Sequence, residues 1–439
     1  MHALGLLAHL CRFGVPLSDI GMYAWSLLLL VAGVSAWRPL SQAPAGVHAR
    51  RNAVLSKLAG IVLTTATLFS SDAFADSRLN APSAAGTRVN SDAESLLRYG
   101  LPIDNKEIRD VQGSVESVKI NIKTRRIPFA KLDAQNARRI LTQSKAAIFK
   151  AVPSTHEAEA TQSYSRMLDE IDPLLSALEA ESVAGTGSVQ ERKGLDDSFA
   201  AQDVLAHELT TFQELMVPDS FRRTIPEEYA SMPQLQRRAQ VQMVIKKPGG
   251  AQFDIDGKLY DRVNLLMVVD GYNAPITGGS FVDLVDKGFY NNRPITRSDG
   301  FVVQTGDADP LGTVHGYVPK GETEERKVPL EIAVKGDKEL LYGATTEDDM
   351  RGYAAAVLPF QSYGALGMAR SEFENDSASS QFFWLLFESD LTPAGKNMLD
   401  GRYAAFGYTV EGADLLKDVK EGDIIESAKV VKGIEFLKR

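Results

Sequence analysis

Thiols are nearly absent from this sequence. Its 439 residues include one cysteine, Cys11, so no intrachain disulfide and no cysteine-ligated zinc site can form. The six histidines stand at 2, 9, 48, 156, 207 and 315, too scattered for a His-x-x-x-His pair, which excludes the metalloprotease and zinc-deaminase classes. A positive balance is lacking as well. Lys and Arg number 48 against 57 Asp and Glu, a net charge of −9, which argues against a general nucleic-acid binder that needs clustered cations. No Gly-x-Gly-x-x-Gly, phosphate-loop or metal-ligand spacing is present, so neither a cofactor nor a metal is expected. What remains is 44% apolar and 24% charged, enough for packed cores in two or three domains.

Two apolar runs near the N-terminus are too short for the roughly twenty consecutive apolar residues of a membrane-spanning helix. The first, Met22 to Ala36, holds Leu27-Leu28-Leu29-Leu30-Val31 and then small residues before Trp37, the form of a secretory signal peptide. Arg38 to Lys57 is basic and free of acids, the composition of an organelle transit peptide. The second run, Leu58 to Leu68, follows Arg50-Arg51 and leads to Ala73-Phe74-Ala75, which together form a twin-arginine type of export signal. Residues 1–36 are therefore expected to be a signal peptide and 37–75 a transit and thylakoid-export signal. The mature protein would begin near Asp76 in the thylakoid lumen of a plastid, soluble and with no stable membrane span.

Residues 76–95 include a stretch rich in Ser, Ala, Asn and Pro, and are expected to be a flexible leader. Over 96–217 the apolar spacing is helical. Ile108, Val111, Val115, Val118 and Ile122 recur at intervals of three and four. A second helix is expected to begin at Asp133, with Ala137, Ile140, Leu141 and Ile148 on one face. A third carries Met167, Leu168, Ile171, Leu174, Leu175 and Leu178 up to the Gly185-Thr186-Gly187 break, and a fourth carries Leu195, Phe199, Val204, Leu205, Leu209, Phe212 and Met216. Short polar joints predict an antiparallel bundle of about four helices. Pro218, Pro226 and Pro233 make 218–236 a semi-rigid linker.

From 237 to 439 the period falls towards two. Ala239, Val241, Met243 and Ile245 alternate with polar partners, Asp256-Gly257 offers a hairpin turn, and Val263, Leu265, Met267 and Val269 follow. Asp254 and Asp256 superficially resemble a calcium loop, but Gln252 and Val263 occupy the positions of its terminal acids, which favours the turn. Short apolar runs at Phe301 to Val303, Ala355 to Leu358, Phe382 to Leu386, Tyr403 to Tyr408 and Ile424 to Val431, separated by glycines, predict a closed antiparallel β-barrel.

Within this second half comes Arg297-Ser298-Asp299-Gly300-Phe301-Val302-Val303-Gln304-Thr305-Gly306-Asp307. Gly367-Met368-Ala369-Arg370 follows, then Ser379-Ser380-Gln381-Phe382-Phe383, then Leu399-Asp400-Gly401-Arg402-Tyr403-Ala404-Ala405-Phe406-Gly407. The ordered series resembles the cyclophilins, a family of peptidyl-prolyl cis-trans isomerases. Upstream, Asn273-Ala274-Pro275-Ile276-Thr277 resembles the entry to that family's helix. Taken singly, Phe301 or Phe383 would be core and Arg297 a solvated surface charge; their joint order makes the resemblance. Leu101 to Lys106, Pro226 to Tyr229 and Glu372 to Ser377 resemble more narrowly the thylakoid-lumen cyclophilins of plants and algae. The resemblance implies a multidomain α plus β protein, a helical bundle followed by a cyclophilin-like barrel with capping helices, that assists photosystem II assembly or repair.

By the same resemblance Arg297 matches the catalytic arginine, and Phe301, Val302, Phe383 and Leu399 form the apolar slot for a proline ring. Gln304 matches the amide that orients the substrate backbone, and Ala369 and Gln381 match peptide-groove positions. Proline-containing protein segments, photosystem II subunits among them, are the implied partners. Several positions depart from the pattern. Ile295-Thr296 replace Phe-His ahead of Arg297, the loop to Gly300 is one residue shorter, Met398 stands for a tryptophan and Tyr403 for a histidine. A thioether fills a slot less rigidly than an indole, so turnover is expected to be weak. The alternative expectation is a binding module of low activity. In either case an apolar groove invites a cover, and bundle or linker residues are expected to lie against it and restrict entry.

Overall fold

A computed structural model of the chain describes residues 90–439 except 186, 312, 353 and 388–396, so the expected signal segments and most of the leader lie outside the described residues. Five helices come first: α1 (Ala93–Gly100), α2 (Lys106–Lys123), α3 (Ile127–Phe149), α4 (Glu157–Ser182) and α5 (Val189–Leu215). The α2 stripe is buried at Ile108, Val111, Val115, Val118 and Ile122, as its spacing predicts. Asn105 starts that helix by accepting the Ile108 N–H at 2.9 Å. Helix α3 begins at Ile127, ahead of the expected start at Asp133. Pro128 suits a first turn because its missing N–H would be unsatisfied there in any case. Asp133 accepts the Asn121 amide at 2.7 Å instead of capping a helix. Val204 of α5 departs from its expected stripe and faces solvent. Helices α4 and α5 approach closely at Gly194, where a Cβ would lie 2.8 Å from the Glu181 Cα. Phe149, Tyr164 and Phe212 meet in the bundle core, with ring centroids 5.1–5.8 Å apart.

The strands of the second half are, in chain order, β1 (Gln234–Leu235), β2 (Arg238–Lys246), β3 (Phe253–Ile255), β4 (Lys258–Tyr260), β5 (Val263–Asp270), β6 (Ile295–Ser298), β7 (Val302–Thr305), β8 (Glu331–Ile332), β9 (Leu341–Tyr342), β10 (Ala365–Met368), β11 (Phe382–Leu385), β12 (Ala405–Glu411), β13 (Ile424–Lys432) and β14 (Leu437–Lys438). Eight of them form one antiparallel sheet in the order β13-β2-β5-β12-β10-β11-β7-β6. Strands β2 and β5 pair Ala239 with Val269 and Ile245 with Val263. Between them Asp256 and Gly257 turn a small hairpin of β3 (Phe253–Ile255) and β4 (Lys258–Tyr260). Their φ values are +53° and +82°, as a two-residue hairpin turn requires. The expected strand at Ala355 to Leu358 forms no ladder and makes only a single bridge, Ala356 to Val334. Helix α6 (Pro275–Asp286) packs on the sheet, and the buried Glu331 of β8 (Glu331–Ile332) accepts the Ile276 and Thr277 N–H groups at its first turn.

One face of every strand in the sheet enters a single core: Val241, Val269, Phe406, Leu366, Phe382, Val303, Ile295 and Ile425 all belong to it. Among the described residues no ladder joins the edge strands β6 and β13, so by its ladders the sheet is an eight-stranded half-barrel and not the expected closed barrel. Pro294, which has no N–H to donate, makes a lone bridge to Ile424 at that seam.

Helix α1 lies on β12, beyond the bundle proper. Leu96 and Leu97 face the outer side of the sheet, in one cluster with Val268, Val302, Phe383 and Tyr408. Arg98, fully buried, turns the other way and donates from Nε to Glu116 of α2 at 2.8 Å. Burying a guanidinium is tolerable only with such partners.

Candidate active site

The outer face of the sheet holds most of the residues expected to bind a peptide. Alternation along β7 and β11 sends Val303 and Phe382 into the core and leaves Val302, Gln304 and Phe383 outside. Register then lines them up. Arg297 of β6 stands opposite Gln304 of β7, Gln304 opposite Phe383 of β11, and Phe383 opposite Gly367 of β10. Four residues distant in sequence thus form one row across four strands. Gly367 is required there, because a Cβ would lie 2.2 Å from the Phe383 ring. The ring leans over β10, stacks on Phe360 at 5.9 Å and meets the edge of Tyr403 at 5.9 Å.

Gln304 donates from Nε2 to Gln381 Oε1 at 2.8 Å, so the two expected groove amides are already joined. Ala369 continues the β10–β11 pairing by donating its N–H to the Gln381 carbonyl at 3.0 Å. Phe301, Leu399 and Tyr403 are partly buried at the border of the cluster, with Phe301 against Phe387 at 5.4 Å. The Arg370 guanidinium lies 5.0 Å over the Tyr403 ring and is held by the Arg402 carbonyl. Met398 stays apart. It is 72% exposed and belongs to no apolar cluster, so the expected slot wall is not built from its side chain.

Arg297 is exposed and engages Asp299, with Nε 2.7 Å and Nη2 2.5 Å from Oδ2. Burial raises the pKa of Asp299, but the Val302 and Phe301 N–H groups and the Arg297 guanidinium more than offset this and hold the carboxyl below its usual range. Asp299, Phe360, Gly367 and Phe387 were not among the residues expected at the site. The Asp299-Gly300 pair is a turn signal that marks the first; nothing local to the sequence marks the other three. In this conformation Val302 and Phe383 are 4% and 5% exposed. Among the described residues no group of three or more His, Cys, Asp or Glu is placed to hold a metal, and no helix is long and apolar enough to cross a membrane.

Comparison with known proteins gives this arrangement a family. Residues 255–438 match the cyclophilin-type peptidyl-prolyl cis-trans isomerases, and residues 92–193 match the PsbQ-like domain of CYP38-like peptidyl-prolyl cis-trans isomerases. The chain is 42% identical over 349 residues to the chloroplastic peptidyl-prolyl cis-trans isomerase CYP38 of Arabidopsis thaliana, covering 79% of this chain and 75% of that one. It is 37% identical over 399 residues to a Synechocystis protein named as a thylakoid-lumen peptidyl-prolyl cis-trans isomerase, covering 90% of this chain and 97% of the relative. With the chloroplastic isomerase CYP37 of Arabidopsis thaliana the identity is 29% over 366 residues, 80% of this chain and 72% of the relative. The compartments in these names agree with the address read from the N-terminal signals. The chain belongs to the cyclophilin-type peptidyl-prolyl cis-trans isomerases, in the CYP38-like group with a PsbQ-like helical domain, and is a foldase of the thylakoid lumen.

Proposed function

We propose that the groove between Arg297 and Phe383 rotates prolyl bonds in lumenal clients, photosystem II subunits among them. The observation that carries this is the row of Arg297, Gln304 and Phe383 on adjacent strands, with Gln304 bonded to Gln381. A prolyl bond turns over slowly because resonance keeps it planar, with a barrier of roughly 18–20 kcal/mol. Twisting the bond returns the lone pair to the proline nitrogen. A guanidinium donor near that nitrogen is best satisfied in the twisted state, which is differential binding of the transition state. Phe301, Val302, Phe383 and Leu399 receive the ring; Gln304, Gln381 and Ala369 hold the backbone on either side. The same reading closes the sheet into a barrel, its seam supplied by the Ile295 N–H donating to the Asp423 carbonyl and the Gly422 N–H donating to the Ile295 carbonyl. It assigns 96–217 to the bundle, 218–236 to the linker and 237–439 to the catalytic domain. Arg297→Ala in the mature chain tests it: catalysed prolyl exchange measured by NMR on a model peptide should fall on the order of a hundred-fold while the fold persists.

A second reading, a binding module of low turnover whose entry is restricted, is favoured by one observation. Leu96 and Leu97 of α1 share an apolar cluster with the nearly covered Val302 and Phe383. The cover expected from bundle or linker is then this short helix, which precedes the bundle proper. The linker is fastened at Arg223, which donates to the Tyr272 and Lys338 carbonyls and to Asn273 Oδ1. Leu97→Ser should raise client-peptide affinity in calorimetry; unchanged affinity would remove α1 from control of the groove.

A further inference from the structure

The proposed mechanism gives Arg297 a task without saying what aims it. The residue lies on an edge strand, is exposed, and has a long side chain with much rotamer freedom to lose. An unaided guanidinium in that position would sample many directions, only a few of them useful to a substrate nitrogen.

We infer that Asp299 is a positioning residue for isomerisation, fixing the Arg297 guanidinium to the backbone of the proline slot. The inference rests on the assignment of Arg297 to catalysis. One carboxylate does both parts of the work. Its Oδ2 accepts from Arg297 Nε at 2.7 Å and lies 2.5 Å from Nη2, a side-on fork whose two prongs meet on one oxygen. Its Oδ1 accepts the N–H groups of Phe301 and Val302, each at 3.0 Å. Those are the two residues that begin the slot, Phe301 just ahead of β7 and Val302 at its start. The Asp299 N–H donates to the Val302 carbonyl at 3.3 Å, and Gly300 supplies the positive φ of +80° that the tight loop needs. The guanidinium is therefore tied, through one planar group, to Phe301 and to the strand that carries Val302 and Gln304.

The geometry of the fork matters. A guanidinium has five N–H donors in a fixed plane. Engagement through Nε and Nη2 uses one edge and leaves the Nη1 donors, on the far edge, for an incoming acceptor. Both donors converge on the single oxygen Oδ2, and two contacts from one edge of the guanidinium limit rotation about the terminal bonds of the arginine. The shorter loop between Arg297 and Gly300 makes the pairing possible: it brings a carboxylate two residues after the arginine and turns it back towards the side chain.

A plainer role has to be separated from this one. Asp299 could serve only the turn, accepting the Phe301 and Val302 N–H groups, with the arginine contact incidental. Asp299→Asn distinguishes the two. Its side-chain carbonyl can still accept both backbone N–H groups, but the amide nitrogen then facing Arg297 is a donor and cannot accept from it. The turn survives and the clamp does not.

The test uses the full mature chain with two readouts. In isomerisation kinetics Asp299→Asn should lower kcat on the order of ten-fold, the scale of a misaimed catalytic group, and leave KM nearly unchanged. In 15N–1H spectra the Arg297 Nε–H resonance, assigned by its loss in Arg297→Lys, should be protected from solvent exchange in the wild type and exposed in Asp299→Asn. Asp299→Glu should restore part of the protection and part of the rate, because a carboxylate returns on a longer arm. An Nε–H signal indifferent to Asp299→Asn overturns the clamp, whatever the rate does. A rate that stays equal or rises in Asp299→Asn overturns the positioning role. Wild-type rate in Arg297→Ala, or no measurable turnover in the wild type, overturns the catalytic assignment itself. The exchange data then show separately whether the clamp exists.

Discussion

Where α1 meets the sheet, Arg238 is buried and donates to Asp270 at 2.8 Å, to Glu214 at 3.2 Å and to the Leu97 carbonyl at 2.5 Å. Beside the groove, Arg297 is about half exposed and engages one carboxylate two residues away. The contrast separates a structural cation from one available for work. A buried guanidinium needs its donors met inside the protein, because unmet ones carry a desolvation penalty. Arg238 meets them with groups from β5, α5 and α1, and so ties bundle and sheet together. Its polar knot continues in Asn273, which donates to the Gly100 carbonyl at the end of α1 at 2.7 Å. Arg297, about half exposed, can leave donors to water, and in the proposed mechanism a substrate takes them.

The largest effect expected from breaking the contrast lies at the junction. Arg238→Ala would leave Asp270, which is wholly buried, without its main cation. Loss of about 3–5 kcal/mol is expected, as for other buried pairs stripped of one partner. Denaturant midpoints measured at constant slope would report it. Arg297→Ala should instead change stability by no more than about 0.5 kcal/mol, as for most exposed positions. Its isomerisation rate should fall on the order of a hundred-fold, the scale of losing one transition-state donor. A destabilised Arg297→Ala, or a stable Arg238→Ala, would break the distinction.

A smaller change sharpens it. Leu97 is buried by the outer face of the sheet, and its carbonyl serves Arg238 whatever the side chain is. Leu97→Ala should therefore keep the polar knot and cost about 2–3 kcal/mol of apolar packing. If α1 covers the slot, client-peptide affinity should rise in the same variant. Calorimetry and thermal unfolding on one sample separate the two consequences.

How much of this was legible in the chain depended on distance along it. The α2 stripe is a local pattern, and every residue named in it is buried. The apolar period of α3 points to a start at Asp133, but Pro128, whose fixed backbone opens the helix, sets the start at Ile127. Ala355 to Leu358 has the composition of a strand but pairs with its neighbour at one bridge, Ala356 to Val334, since pairing is decided by tertiary placement. The groove residues were named through family resemblance. Their row across four strands was not legible, because register between β6, β7, β11 and β10 is set by contacts between segments far apart. Helix α1 is eight residues long, too short for periodicity to register, and it straddles the expected boundary between leader and bundle. The ordered blocks told which residues to expect; only the fold shows that Phe383 rests on Gly367 and that Asp299 holds Arg297.

The last test of the contrast is acid. Asp299 has a folded pKa lowered below its ordinary value: burial works against ionisation, and the Val302 and Phe301 N–H groups with the Arg297 guanidinium outweigh it. The unfolded reference for an aspartate is about 3.9. For a carboxyl with a depressed folded pKa, the unfolded state binds more protons in the window between the two values. The stabilisation is therefore complete above the unfolded pKa and is lost as pH falls through the folded one. The Arg297–Asp299 pairing should persist unchanged from pH 7 to pH 5, so mild acidification of the lumen would leave the clamp in place. Because both side chains are partly solvated, solvent screens the pair and global stability should hardly register its loss. The sensitive measurement is the Arg297 Nε–H exchange rate followed downwards in pH. Protection should survive to below about pH 4, the value at which a free aspartate is half protonated. Protection lost already near pH 5 would mean that the guanidinium and the backbone N–H groups do not hold Asp299 as the geometry requires, and Arg297 would then differ from a solvated surface arginine in nothing but its neighbours.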